Sequence, residues 1–275
     1  MGKMFIALVL FTLLFTAHGS ASTGNFIIGV APHTSARVIV EMYQPLRQYM
    51  EKALGVPVEI VTAPDFDSFA RHGLAQDYDI AITTGHQARL LQVDAKYTPL
   101  LTYKADFKAV ALVAAAGPIT SAAQLKGKPV LGLSPTSLVT LWGLHWLKEN
   151  KINSTTVKFV SASDSVAQLI LSGEAAAGFT SQANYQKLTP EVRNQLRILA
   201  ESKPMAGRVY VLNKRRAGDQ KKIADLLWAF AATTEAKSYF DNNKLGGYRP
   251  LRNGELKEMD SFANEVRKIV KTPQK

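Results

Sequence analysis

The chain has 275 residues, 33 lysines and arginines against 22 acidic residues, a formal net charge of +11 and no cysteine. Without cysteine there is no disulfide, no thiolate metal site and no lipid-modified cysteine anchor behind a leader. The positive balance lacks the dense basic stripe interleaved with aromatics that marks nucleic-acid binding; it leaves open a solvated basic surface or a field that draws in anionic ligands.

The chain begins with a leader. Lys3 precedes an uncharged apolar run from Phe5 to Ala17, and small residues follow at Gly19-Ser20-Ala21. A basic start, a short apolar stretch and a small-x-small end predict a signal peptide over 1–21, cleaved after Ala21. The run is shorter than the ~20 residues needed to cross a bilayer core. The mature product is expected in the periplasm, stabilised by an ordinary apolar core.

From there the pattern alternates strand and helix, which predicts an α/β protein with mostly parallel strands. Asn25–Ala31 is an apolar, β-branched strand. Ser35–Leu54 carries Val38, Met42, Leu46, Tyr49, Met50 and Ala53 at helical spacing and closes on Gly55. Val56–Thr62 reads as a strand, Phe66–Leu74 as a helix and Tyr78–Thr83 as a strand. A crossover is expected near Phe107–Ala114. The pattern then restarts with a strand at Pro129–Leu133, a helix from Ser137 to Glu149, a strand at Val157–Val160, a helix at Ser163–Ser172 and a strand at Ala175–Phe179. A further strand, Gly207–Leu212, precedes helices near Lys221–Thr233 and Leu256–Val270. Two similar α/β lobes enclose a cleft, and ligands in such sheets sit beyond the carboxyl ends of the strands.

The loops at those ends are rich in hydroxyls. Ser134-Pro135-Thr136-Ser137 opens a helix; either Ser134 or Thr136 caps that helix, or the hydroxyls, with the free amides and the positive dipole end, hold an anion. Thr83-Thr84-Gly85-His86-Gln87 has the same two readings: capping of a helix near Gln87 by the threonines, or donation from Thr83, Thr84 and His86 to an oxyanion, with Gly85 permitting close approach. Pro32-His33-Thr34-Ser35 and Thr180-Ser181 repeat the design. No catalytic constellation emerges: GxSxG, HExxH and Walker A patterns are absent. His18, His33, His72, His86 and His145 show no metal spacing, and Asp164 and Glu174 pair with nothing as acid and base. No enzyme, metal or cofactor is expected, and no nucleic-acid partner.

Several stretches resemble the phosphate, phosphite and phosphonate-binding proteins of periplasmic ABC importers. They are YQPLRQYMEKALGVPVEIVTAPDFDSF, YDIAITTGH, the crossover after YKADF, SPTSLVTLWG, SGEAAAGFTS and the C-terminal LGGYRPLRNGEL. The resemblance implies a type II periplasmic binding protein: two α/β lobes, residues 22–105 with 208–275 and residues 106–207, a ligand cleft between them, and crossover hinge strands near Tyr103–Phe107 and Pro204–Gly207. It places a phosphorus oxyanion at Thr136 and Ser137, with Pro135 standing where relatives have a hydroxyl. Phe66 and Phe107 fall where tyrosine lines the pocket of relatives. Ala183 and the Ala206–Gly207 region fall where relatives hold an ammonium group with acidic side chains, so an amine-bearing ligand is not expected. The binding set expected from loops and resemblance together is Thr34, Ser35, Phe66, Thr84, His86, Phe107, Ser134, Thr136, Ser137, Thr180 and Ser181. The expected partners are a small anion and the membrane permease of an importer, with the protein acting as a monomer; a sensor that signals to a membrane receptor kinase is the alternative.

Overall fold

The computed structural model describes residues 24–160 and 163–271. The signal peptide expected over 1–21 lies outside them. The chain runs through β1 (Phe26–Val30), α1 (Ala36–Leu54), β2 (Val58–Val61), α2 (Phe66–Leu74), β3 (Ile80–Thr84), α3 (Gly85–Asp94) and β4 (Thr98–Tyr103). It then crosses to β5 (Ala109–Ala114), β6 (Pro129–Gly132), α4 (Leu138–Glu149), β7 (Thr156–Phe159), α5 (Ser163–Leu171), β8 (Ala177–Ser181), α6 (Gln182–Lys187), α7 (Pro190–Arg193) and β9 (Leu196–Glu201). It returns as β10 (Arg208–Leu212), α8 (Gln220–Ala231), α9 (Thr234–Asn242), β11 (Tyr248–Arg249) and α10 (Asp260–Lys271).

These strands make two sheets, ordered β11-β4-β10-β3-β1-β2 and β7-β6-β8-β5-β9. Each has a parallel core, β2, β1 and β3 in one and β7, β6 and β8 in the other. Each core is extended on one side by antiparallel strands, beginning with β10 against β3 and β5 against β8. The expectation of mostly parallel strands therefore holds only for the cores. In each sheet the added strand enters directly from the other sheet, so it runs against its neighbour. The two crossing segments touch where Met205 N donates to Phe107 O at 2.8 Å. They tie the sheets together as a paired ribbon, the arrangement expected of a hinge.

Local chemistry accounts for the element ends. The Ser35 hydroxyl accepts from Val38 N at the start of α1, and Gly55, with φ 71°, closes it. Ile39, Tyr43, Leu46 and Met50 form the buried stripe of α1 at helical spacing. Helices α1, α8 and α9 cover one face of the first sheet. On its other face Phe69, Leu90, Leu91 and Val266 belong to a core that continues through Leu138, Leu141 and Phe179 of the second sheet's layer. Apolar packing thus runs from one lobe into the other. The α10 side chain of Glu265 bonds His145 of α4, whose ring stacks on Phe262 at 4.7 Å between centroids.

Candidate functional site

The carboxyl ends of β3, β6 and β8 meet where the two sheets face each other. At the start of α4, the Ser137 hydroxyl accepts from Thr140 N at 3.4 Å and donates to Thr140 Oγ1 at 2.8 Å. Ser137 is therefore the helix cap, a role the sequence divided between Ser134 and Thr136. Thr136 is fully buried; its hydroxyl donates to the Asp67 carboxylate near the start of α2. Ser134 Oγ is buried without a hydrogen-bond partner, and so is Thr180 Oγ1 on the neighbouring strand β8. A buried hydroxyl left without a partner is destabilising by about 1–3 kcal/mol, so such groups need an explanation. Ser181, one residue further, is used as the cap of α6 and accepts from Asn184 N at 3.1 Å.

Across the cleft, α3 begins at Gly85 with His86 wholly enclosed. The Thr84 hydroxyl donates to His86 Nδ1 at 3.1 Å, and Nε2 donates to the Thr136 carbonyl at 2.8 Å. The imidazole is thereby satisfied on both nitrogens while neutral, and it ties the two sheets' loops together. Burial lowers its pKa to about 4, against the weaker opposing effect of the Thr136 hydrogen bond. Gly85 permits close approach, as its spacing implied, but to the protein itself. Its N–H donates to Ala206 O at 3.2 Å, and a Cβ at this position would lie 2.5 Å from the Ala206 Cβ. Thr83 and Gln87 lock the same turn: Thr83 donates to Gln87 Oε1 and Gln87 Nε2 to Phe66 O, both at 3.0 Å.

The remaining expected residues are scattered. The side chains of Phe66 and Phe107 pack against the shared core. Thr34 and Ser35 are exposed, and Ser35 is occupied as a cap. The structure thus gathers Thr84, His86, Ser134, Thr136, Ser137 and Thr180 at facing strand ends and leaves Thr34 and Ser35 at the rim.

Two contributors escaped the sequence reading. Asp67 sits one residue after Phe66, and nothing in its spacing signals that the fold brings it onto Thr136. Arg208 is the other. It opens β10 opposite Thr84, its Nη1 lies 3.9 Å from Met42 Sδ, and its Cζ stands 6.0 Å from the centre of the Tyr103 ring. A charged residue heading an otherwise apolar strand straight after the hinge was the available signal. Beneath it the hydroxyls of buried tyrosines converge: Tyr103 lies 2.7 Å from Tyr210 and 3.4 Å from Tyr43 and also bonds Tyr239, and Tyr210 lies 2.8 Å from Tyr248. Burial pushes Tyr103, Tyr210, Tyr239 and Tyr248 above the usual tyrosine pKa and keeps them neutral. His33, in the β1–α1 loop, donates from Nδ1 to Ala31 O at 2.8 Å and keeps a buried Nε2 without a partner. Its pKa is lowered by burial first and by the Arg208 charge second, while the Ala31 bond opposes and Lys187 adds to the lowering.

Two sheets with this strand order, joined by paired crossings and facing each other through helix N-termini, define a type II periplasmic binding fold. The match to known proteins is specific: residues 28–256 fit the family described as ABC transporter, phosphonate, periplasmic substrate-binding protein, and the chain belongs to that family. No curated protein sequence matches it. Among solved structures, XAC2383 from Xanthomonas citri, bound to chloride, is 19% identical with a TM-score of 0.77 over 89% of this chain and 99% of that one. PhnD1 from Prochlorococcus marinus, in complex with methylphosphonate, is 14% identical with a TM-score of 0.77 over 89% and 98%. The aliphatic sulphonate binding protein SsuA from Escherichia coli is 15% identical with a TM-score of 0.59 over 89% and 79%. No helix among the described residues is long and apolar enough to cross a membrane.

Proposed function

We propose that this chain is the solute-binding subunit of an importer that captures a small phosphorus oxyanion, phosphate, phosphite or a phosphonate, in its cleft and hands it to a permease. The observation that carries the reading is the pair of buried, partnerless hydroxyls, Ser134 Oγ and Thr180 Oγ1, beside the start of α4. An oxyanion there would accept from both and from the first-turn amides of α4, in the field of the helix dipole. Charge-assisted bonds in a desolvated cleft suit tight, reversible capture. Chloride and methylphosphonate, bound in two of the structural relatives, are both anions. Residues 22–105 with 208–275 and residues 106–207 serve as the two closing bodies, and the ligand drives closure by preferring the closed state. The leader over 1–21 directs the protein to the periplasm, where it works as a monomer.

Thermal unfolding against phosphate, phosphite, methylphosphonate, sulfate and methanesulfonate tests this. A phosphorus oxyanion at ~100 times its dissociation constant should stabilise the fold by about 2.7 kcal/mol. The shift should shrink in Ser134→Ala and in Thr136→Ala. No shift with any phosphorus oxyanion discards the reading.

A further inference from the structure

Arg208 has no ion-pair partner among the described residues. Arg89, Arg249 and Arg267, whose side chains are 22%, 23% and 23% exposed, each face a carboxylate, of Asp260, Glu255 and Asp94 respectively. Arg208 is half-buried like them, yet its surroundings are neutral: Met42 Sδ, the Tyr43 hydroxyl and the face of Tyr103. An aromatic face and a hydroxyl offset part of a guanidinium's desolvation but leave most of its N–H fork unused.

Its charged neighbours make the imbalance larger. Lys187, at the end of α6 in the second sheet's half, feels Arg208 and Lys244 of the first sheet's half; burial first, and then those two charges, lower its pKa. The proton of His33 sits on Nδ1, so its buried Nε2 carries a lone pair and the ring adds no positive charge beside Arg208 and Lys187. Arg208, Lys187 and Lys244 have no ion-pair partner among the described residues. Bringing the halves together therefore drives positive charges from both sides of the cleft towards one another. That movement is unfavourable unless something negative sits between them.

We propose that Arg208 and Lys187 form a second anion subsite, which takes a carboxylate-like group on a ligand whose phosphonate head lies at the α4 loop. The preferred solute is then a bifunctional acid, and a simple phosphonate fills only half of the site. The guanidinium fork matches a carboxylate in two parallel hydrogen bonds, and Lys187 closes over it from the opposite lobe. This inference rests on the oxyanion reading of the α4 loop.

Calorimetric titration of the purified protein with methylphosphonate and phosphonoacetate tests it, because the two share a head group and differ by one carboxylate. Phosphonoacetate is expected to bind at least about tenfold tighter. Arg208→Met is expected to remove that preference, leaving the affinities for the two ligands within about threefold of each other. Lys187→Met is expected to reduce the preference by about threefold, and it decides alone should Arg208→Met not fold. Equal affinities in the unaltered protein, a preference that survives both substitutions, or a parallel loss for both ligands overturn the subsite. If neither phosphonate binds, the oxyanion reading has failed, and succinate decides the subsite separately. Thermal stabilisation by succinate that is lost in Arg208→Met keeps it; no response to succinate overturns it too.

Discussion

The starts of α3 and α4 face each other across the cleft, and each follows an apolar strand through residues rich in hydroxyls, α3 directly from Thr84 and α4 after the loop 133–137. At α4 the Ser137 hydroxyl turns back onto Thr140 and caps the helix, while Ser134 is left without a partner. At α3 the capping position falls to Thr84, but its hydroxyl goes to His86 and makes no cap bond. One loop spends a hydroxyl on its own helix and keeps another in reserve; the other spends it on orienting an imidazole that reaches the opposite lobe. A hydroxyl's availability is therefore decided by its nearest competitor for the bond, and composition alone does not reveal it.

The contrast is broken most directly at His86. His86→Ala deletes the bond to the Thr136 carbonyl and leaves that carbonyl and the Thr84 hydroxyl buried without partners. Unfolding in urea should show a loss of about 3 kcal/mol. A loss below about 1 kcal/mol would mean that the imidazole fills space and nothing more.

Acid should act on the same link. His86 has a folded pKa of about 4 against 6.5 for a free imidazole, so the unfolded chain binds a proton in this window and the folded chain does not. Its contribution is intact above pH ~6.5 and is lost as pH falls towards 4, amounting to about 2 kcal/mol by pH 5. His33, also depressed, acts with the same sign. The difference in stability between the unaltered protein and His86→Gln, followed from pH 7 to 5, isolates the His86 share. A pH-independent difference would place the proton elsewhere.

Asp67 sharpens the comparison from the ligand's side. Its carboxylate holds the Thr136 hydroxyl where an anion is expected, so a fully ionised ligand meets a like charge. Asp67→Asn should tighten methylphosphonate binding about fivefold, in line with an effect of about 1 kcal/mol for a partly solvated pair. Weaker binding instead would show that Asp67 accepts a proton from the ligand, a bond that a sulfonate, which has no such proton at neutral pH, does not offer.

Much of the fold was legible because burial imposes period. The buried run Ile80–Thr83 of β3 and the stripe of α1 announce themselves in the residue pattern. Strand β4 did not, because its first half is only partly buried and includes Pro99, and β9 did not because its inner residues are half-exposed. The helix Thr234–Asn242 buries only Ala236, Tyr239 and Phe240 and so shows little apolar period. The site was readable where it is local, at helix starts. Contacts between distant segments, Asp67 with Thr136 across 69 positions or Arg208 beside Tyr43 and Tyr103, leave no trace in spacing.

The smallest effect separates the two serines of the α4 loop. Ser137→Ala removes the cap and should destabilise by about 1 kcal/mol. Ser134→Ala removes a buried hydroxyl that bonds to nothing in the protein, so stability should rise by about 1 kcal/mol. Their order should reverse for anion affinity, with Ser134→Ala losing more, since its hydroxyl is uncommitted. If both serines affect stability alike, Ser134 has a structural partner in solution, and the reserve that distinguishes the α4 loop from the α3 loop does not exist.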